Sequence, residues 1–211
     1  MGNGPQRGDG DNTMRGLAGK VAGVLFWLAV CVQLGGMVAL AMAAPVIFRT
    51  TEQLQVKTTA LPSHMDQAKQ VGGEIFGNIL EVFGSVEWVC VGIMAVGAIA
   101  QMWLGSVEGG WMWARKVLLL GLVITLAYDT AKVTPAVWST RSAWRAAVTE
   151  SAPSSQASAQ VEKVAALEKE FKGWHEESEQ MAITRLGLLL GIAVVTAWGM
   201  GKNQEPRARN L

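Results

Sequence analysis

Residues 21–48, VAGVLFWLAVCVQLGGMVALAMAAPVIF, contain no charged side chain. About 20 apolar residues, rising about 1.5 Å each, cross a hydrocarbon core of roughly 30 Å, so this run is more than long enough to span a membrane as a helix. Two further charge-free runs follow, at 88–107 and 186–201. The first is sufficient by length. The second spans if Arg185 and Lys202 snorkel outward from its ends. A fourth segment is less clean. Its charge-free core, Val117–Tyr128, has only 12 residues, or about 18 Å of helix. To cross, it must include Arg115 and Lys116 at one end and Asp129 at the other. Trp111 and Trp113 mark one interface and Trp138 the other, and Pro135 is expected to end or kink the helix. The fold class predicted is all-α: a polytopic membrane protein with four transmembrane helices, at 21–48, 86–107, 111–135 and 182–201.

Composition agrees. Half of the 211 residues are apolar and 17% are charged, against about 25% in an ordinary soluble domain. Little chain is left outside the membrane to fold around a soluble core, which argues against a soluble enzyme. The net charge of +1 gives no reason to expect a nucleic-acid partner. Cys31 and Cys90 both lie in predicted spans and read as packing residues, because no ligand spacing surrounds either. Ala41-Met42-Ala43 resembles a signal-peptidase site. The apolar stretch before it is longer than the roughly 7–15 residues of a signal h-region, so a retained helix is expected.

Residues 1–15 are rich in Gly and polar groups and read as a disordered tail. Residues 16–201 form the transmembrane domain, and 202–211 a basic tail. Pro45 is tolerable in a membrane helix. After a polar loop at 49–65, a second helical pattern starts near Asp66. Glu74, Asn78, Glu81 and Ser85 share one narrow stripe of it, so 66–87 is an amphipathic extension leading into the second span. GSVEGG (105–110) reads as a turn and ESAPSSQAS (150–158) as a linker. In 158–181, Val164, Leu167, Phe171, Trp174, Ser178 and Met181 recur at helical spacing. The opposite face carries Glu162, Glu168, Lys169, Lys172 and Glu176, with Glu168 and Lys172 an i,i+4 pair. Two helices are therefore expected to extend beyond the bilayer.

Four spans put the N-terminus, the 105–116 turn and the C-terminus on one side. That side holds Arg7, Arg15, Lys20, Arg115, Lys116, Lys202, Arg207 and Arg209. The positive-inside rule then predicts both termini to be cytoplasmic, in a plasma or inner membrane.

Polar residues in or beside the spans are the candidate functional groups. Asp129 has Lys132 at i+3, and the nearness of Pro135 and Trp138 favours an interfacial pair. His175 is able to shuttle protons or bind metal. It lacks a second His or Cys nearby, since His64 sits in a loop, and a capping or inter-helix hydrogen bond is favoured. Arg185 reads as a snorkelling anchor. Glu74, Asn78 and Glu81 read as a solvated face, with Glu81 and Glu87 nearer the membrane. Gly187-x-x-x-Gly191 and Gly19-x-x-x-Gly23 permit close helix approach and a homo-oligomer. No Gly-x-Ser-x-Gly, His-Glu-x-x-His or phosphate loop occurs, so no catalytic, cofactor or metal residue is assigned and no enzyme activity is expected.

Three segments together resemble a known family. FWLAVCVQLGGMVALAMAAPVIFRT (26–50) carries Trp27, Gly35, Gly36, Ala44, Pro45 and Phe48. RKVLLLGLVITLAYDTAKVTPAVWSTR (115–141) carries Tyr128, Pro135 and Arg141. FKGWHEESEQMAITRLGLLLG (171–191) carries Phe171, His175 and Ser178. In order and spacing these resemble the bacterial domain of unknown function 4149, related to transmembrane protein 205-like proteins. The resemblance implies a four-helix membrane protein and brings no established activity. The first helix also looks like the copper-resistance D and HemJ-type families, which use histidines within helices for metal or haem. No span here contains a histidine.

The expected function is a structural or interaction component of the membrane, with lipid and either a second copy or a membrane-protein partner. The alternatives are a small transporter or channel using Asp129, Lys132, Glu81 and Glu87, and a metal- or haem-binding redox protein around His175.

Overall fold

The computed structural model describes residues 9–55, 67–104, 111–150 and 158–202. Among them the protein is all-α. Helix α1 spans Asp9–Gln53, α2 Gln67–Trp103, α3 Trp111–Tyr128, α4 Thr134–Glu150 and α5 Ser158–Lys202. A π-helical turn, Asp129–Val133, joins α3 to α4 without a break. The chain thus forms four long helical runs, each long and apolar enough to cross a membrane. Helix satisfies every backbone N–H and C=O within the segment, which hydrocarbon demands.

Helix α1 begins earlier than Gly16 and continues past Phe48 to Gln53. Residues 1–8, the 105–110 turn, 203–211 and most of the expected 150–158 linker lie outside the described residues. Extra length is not confined to two helices. The runs have 45, 37, 40 and 45 residues, all more than the roughly 20 a bilayer core requires. Pro135 does not end its helix. Thr134 N–H bonds the Asp129 carbonyl, five residues back. That widened turn just ahead of the proline relieves the crowding between its ring and the preceding turn.

Side chains are distributed inside out relative to a water-soluble bundle. Leu25, Leu28, Val89, Val96, Leu120, Leu190 and Val194 are exposed, while Gln33, Glu87, Gln101, Arg115, Asp129 and Arg185 are buried. An apolar outer surface on this scale has no counterpart in a soluble monomer and suits lipid as the solvent. The four helices mark the chain as a membrane protein in contact with a bilayer.

The chain divides into two compact units, to both of which every long helical run contributes. Among the described residues, unit 1 comprises 9–35, 86–104, 111–123 and 187–202; unit 2 comprises 36–55, 67–85, 124–150 and 158–186.

In unit 1 the core is Phe26, Val30, Met94, Leu122, Leu189 and Ile192. Small residues set its helix spacing. A Cβ on Gly97 of α2 would stand 3.2 Å from the Ala22 carbonyl of α1 and 3.4 Å from Phe26 Cβ. Gly191 of α5 faces Leu118 of α3 at 3.3 Å, and Trp111 stacks on Trp198 with ring centroids 5.8 Å apart.

In unit 2, Phe48 of α1 meets Phe76 of α2 (centroids 6.5 Å), and Trp144 of α4 stacks on Phe171 of α5 (6.1 Å). Gly36 admits the Phe83 ring, and Gly77 admits Trp138 at 3.0 Å. Val164, Leu167, Phe171, Trp174, Ser178 and Met181 are all half-buried on α5, while Glu162, Lys169, Lys172 and Glu176 are exposed. The two sides of that segment thus differ in burial, and Lys172 and Glu168 pair at 2.7 Å.

Candidate functional site

Unit 2 contains a buried ion pair. Arg185 Nη2 of α5 lies 3.0 Å from Asp129 Oδ2 at the start of the π-helical turn, their side chains 9% and 10% exposed. Both readings of these residues are corrected. Asp129 pairs across helices rather than with Lys132, and Arg185 points inward rather than snorkelling. In a π-helical turn the angular step per residue shrinks, so i and i+3 no longer share a face. Lys132 is accordingly exposed, its Nζ 5.3 Å from the Tyr128 ring centroid and 5.8 Å from that of Trp174. Tyr128 Oη, at the end of α3, donates to Glu177 Oε1 at 2.7 Å, so α5 is tied to the π turn at two points and to the residue before it at a third.

A second polar cluster joins α2 to α4. Arg141 donates to the Gly73 and Gln70 carbonyls, both at 3.3 Å. Arg145 donates to Glu74 Oε2 at 2.8 Å and to Gln70 Oε1 at 3.2 Å. Glycine at 73 makes room for this, since a Cβ there would stand 3.0 Å from Arg141 Nη2. Glu74 is thus partly engaged, while Asn78, Glu81 and Ser85 are exposed.

His175 is exposed, stacked on Phe171 (centroids 5.8 Å), with Nε2 3.3 Å from Glu179 Oε1. Its partner is on its own helix, so it does not bridge helices. Ser178 is half-buried. Among the described residues no three His, Cys, Asp or Glu side chains group to hold a metal ion. Cys31 is exposed and Cys90 buried, both free thiols.

The resemblance residues fall mostly in unit 2. Gly36, Phe48, Tyr128, Arg141, Phe171 and His175 each make a helix or ring contact described above, whereas Gly35, Pro45 and Pro135 are exposed. Gly35 lies in unit 1, with open space where a Cβ would be.

In unit 2 the buried Thr51 and Thr140 hydroxyls donate to carbonyls of their own helices, and unit 1 holds four more buried polar groups among the described residues. Glu87 is 4% exposed and Gln33 fully buried. The antiparallel register set by Gly97 against Ala22 and Phe26 brings Gln33 level with the Glu87–Cys90 turn. Neither amide atom of Gln33 has a hydrogen-bond partner among the described residues. Arg115 is also buried, its Cζ 4.8 Å from the Phe26 ring centroid, and Gln101 covers Gly23, where a Cβ would stand 3.2 Å from its Nε2. Sequence reasoning did not single out Gln33 or Gln101. The signal was available: each is an isolated amide inside an otherwise charge-free apolar run, and such groups face a protein interior rather than lipid.

No family model, curated protein or solved structure matches this chain.

Proposed function

We propose that the chain is a structural or interaction component of a membrane, a bundle whose intramembrane charges hold helices in register. The spans are 21–48, 86–107, 111–135 and 182–201, with both termini cytoplasmic and an architecture like that of the domain of unknown function 4149 family. The observation that carries this reading is the Asp129–Arg185 pair, 3.0 Å apart and about nine-tenths buried. A transport path needs ionisable groups facing a polar cavity, whereas these two are engaged with each other across helices. Setting helix register is the best-attested use of a buried ionic group. Lys132, Tyr128 and Glu177, together with Arg141 and Arg145, do similar work between helices.

Two measurements test the proposal. Crosslinking in intact membranes is expected to trap a second copy or a membrane-protein partner; a bare monomer throughout counts against it. Proteoliposomes carrying the purified chain are expected to show no ion or proton flux. A flux that Glu87→Gln or Asp129→Asn abolishes in a folded variant establishes the transporter alternative instead. Glu87 is the specific observation favouring that alternative, being an acid buried in unit 1 at the level of Gln33.

A further inference from the structure

Unit 2 exposes apolar side chains in a layer that its charges place in water. Phe48 of α1 packs on Phe76 of α2, Gly77 of α2 admits Trp138 of α4, and Trp144 of α4 stacks on Phe171 of α5. These contacts bring the four helices into one layer. Arg49, Glu74, Glu81, Glu170, Lys172 and Glu176 are exposed in and beside it. Hydrocarbon does not accept charges at that density, so the layer stands outside the bilayer core. The length of α1 agrees. Its charge-free run, 21–48, has 28 residues and rises about 42 Å, against roughly 30 Å of hydrocarbon. The charges around Phe48 put the surplus at that end.

That end of α1 is nonetheless apolar. The exposed residues between Gly36 and Phe48 are Val38, Ala39, Ala41, Met42, Pro45 and Val46, with Met42 68% exposed and Val46 62%. Helix α2 continues the surface. Gly73 and Gly77 turn toward α4, and Ile75, Ile79 and Val82 lie on the opposite side of the same helix, all exposed, Val82 by 69%. Both free sides of α1 are apolar, so the surface runs without a break onto this edge of α2. Glu74, Asn78, Glu81 and Ser85 border it about a quarter-turn away. An apolar area in water with a polar rim marks a protein contact.

Height and charge decide what covers it. Acyl chains do not reach a layer outside the bilayer core. Copies of one chain inserted in one bilayer point the same way. A two-fold axis along the bilayer normal therefore sets this surface against its own counterpart at the same height. The surface carries no charge, so self-apposition meets no repulsion, whereas the Glu74–Glu81 stripe set against itself would meet it.

We propose that two copies of this chain pair through the α1–α2 surface of unit 2 formed by Met42, Val46, Ile75, Ile79 and Val82. The inference rests on the interaction reading above and names its partner and its surface.

The test is site-directed crosslinking of the full chain in native membranes, in a Cys31→Ser/Cys90→Ala background that removes both free thiols. Met42→Cys and Val46→Cys are each expected to give a dimer with a short bismaleimide. Glu176→Cys, at an exposed position of α5, is not. Met42→Glu sets like charges against each other across the two-fold axis. It should weaken the dimer about tenfold or more in native mass spectrometry, with the thermal midpoint of the monomer unchanged. If that variant does not fold, Val82→Glu takes its place. An equal yield from Glu176→Cys overturns the proposal, as does no dimer from either α1 position, or a dimer indifferent to the glutamate. A general amine crosslinker then separates the two readings. A copy or partner trapped through another surface leaves the interaction reading standing, and a bare monomer removes both.

Discussion

Replacing Asp129 by asparagine removes one charge while keeping nearly the same volume. At 3.0 Å between Arg185 Nη2 and Asp129 Oδ2, the pair attracts by about 5 kcal/mol at an effective dielectric of about 20. Measured losses on breaking a buried pair are similar, about 3–5 kcal/mol, because the surviving charge is left without its counter-ion. The two single variants differ in a predictable way. Asp129→Asn strands a guanidinium, which cannot shed its proton in a protein. Arg185→Gln strands a carboxylate, which is able to take up a proton and become neutral, so its cost should be closer to about 1–3 kcal/mol. The double variant Asp129→Leu/Arg185→Met removes both charges and should lie within about 1–2 kcal/mol of wild type. The assay is thermal unfolding in detergent followed by tryptophan fluorescence. For a chain of this size about 1 kcal/mol moves Tm by roughly 2–4 °C, so Asp129→Asn should lower it by roughly 6–20 °C. Two results refute the reasoning. One is an Asp129→Asn variant within about 2 °C of wild type. The other is a double variant as damaged as the sum of the singles, which would show the residues to be uncoupled.

Other positions give sharper contrasts than single values. Gly97→Val should cost about 1–3 kcal/mol, because its Cβ meets the Ala22 backbone carbonyl at 3.2 Å, whereas Gly92→Val should be near neutral; equal effects would contradict the α1–α2 packing. Arg141→Met should destabilise more than Arg145→Met. Arg141 donates to two backbone carbonyls of α2, while the main partner of Arg145 is Glu74, whose side chain is 53% exposed and whose ion pair is worth at most about 1 kcal/mol. Chemical denaturation of the two variants side by side decides this. Phe171→Ala removes a ring stacked on Trp144 at 6.1 Å, and a loss of at least about 1 kcal/mol is expected; an unchanged midpoint would mean that α4 and α5 do not rely on this contact.

Much of the architecture was legible because lipid is a simple solvent. A charge-free run must be helical, since only a helix satisfies its own backbone in hydrocarbon, and its length alone tells whether it spans. The spacing within 158–181 was informative too, because the residues that recur at helical spacing there, from Val164 to Met181, are the half-buried ones while Glu162, Lys169, Lys172 and Glu176 are exposed. The functional groups were less so. Asp129 and Arg185 stand out in the sequence as charges within or beside apolar runs, yet helical spacing gives neither its partner. Lys132 looked like the partner of Asp129 because ordinary helical spacing puts i and i+3 on one face. No residue in DTAKV announces that the turn widens.

From sequence alone, then, come four long helices, the membrane as their solvent and the polar residues that must matter inside it. Tertiary structure decides which of those residues meet. In a soluble helix an apolar stripe points to the core, but a membrane helix is apolar on its outer face as well. Periodicity therefore says which side chains share a face, not which face is covered or by what. Arg185 meeting Asp129, Arg115 lying over the Phe26 ring, and Gly97 lying against Ala22 all depend on separate helices packing side by side. Only the folded chain supplies those neighbours.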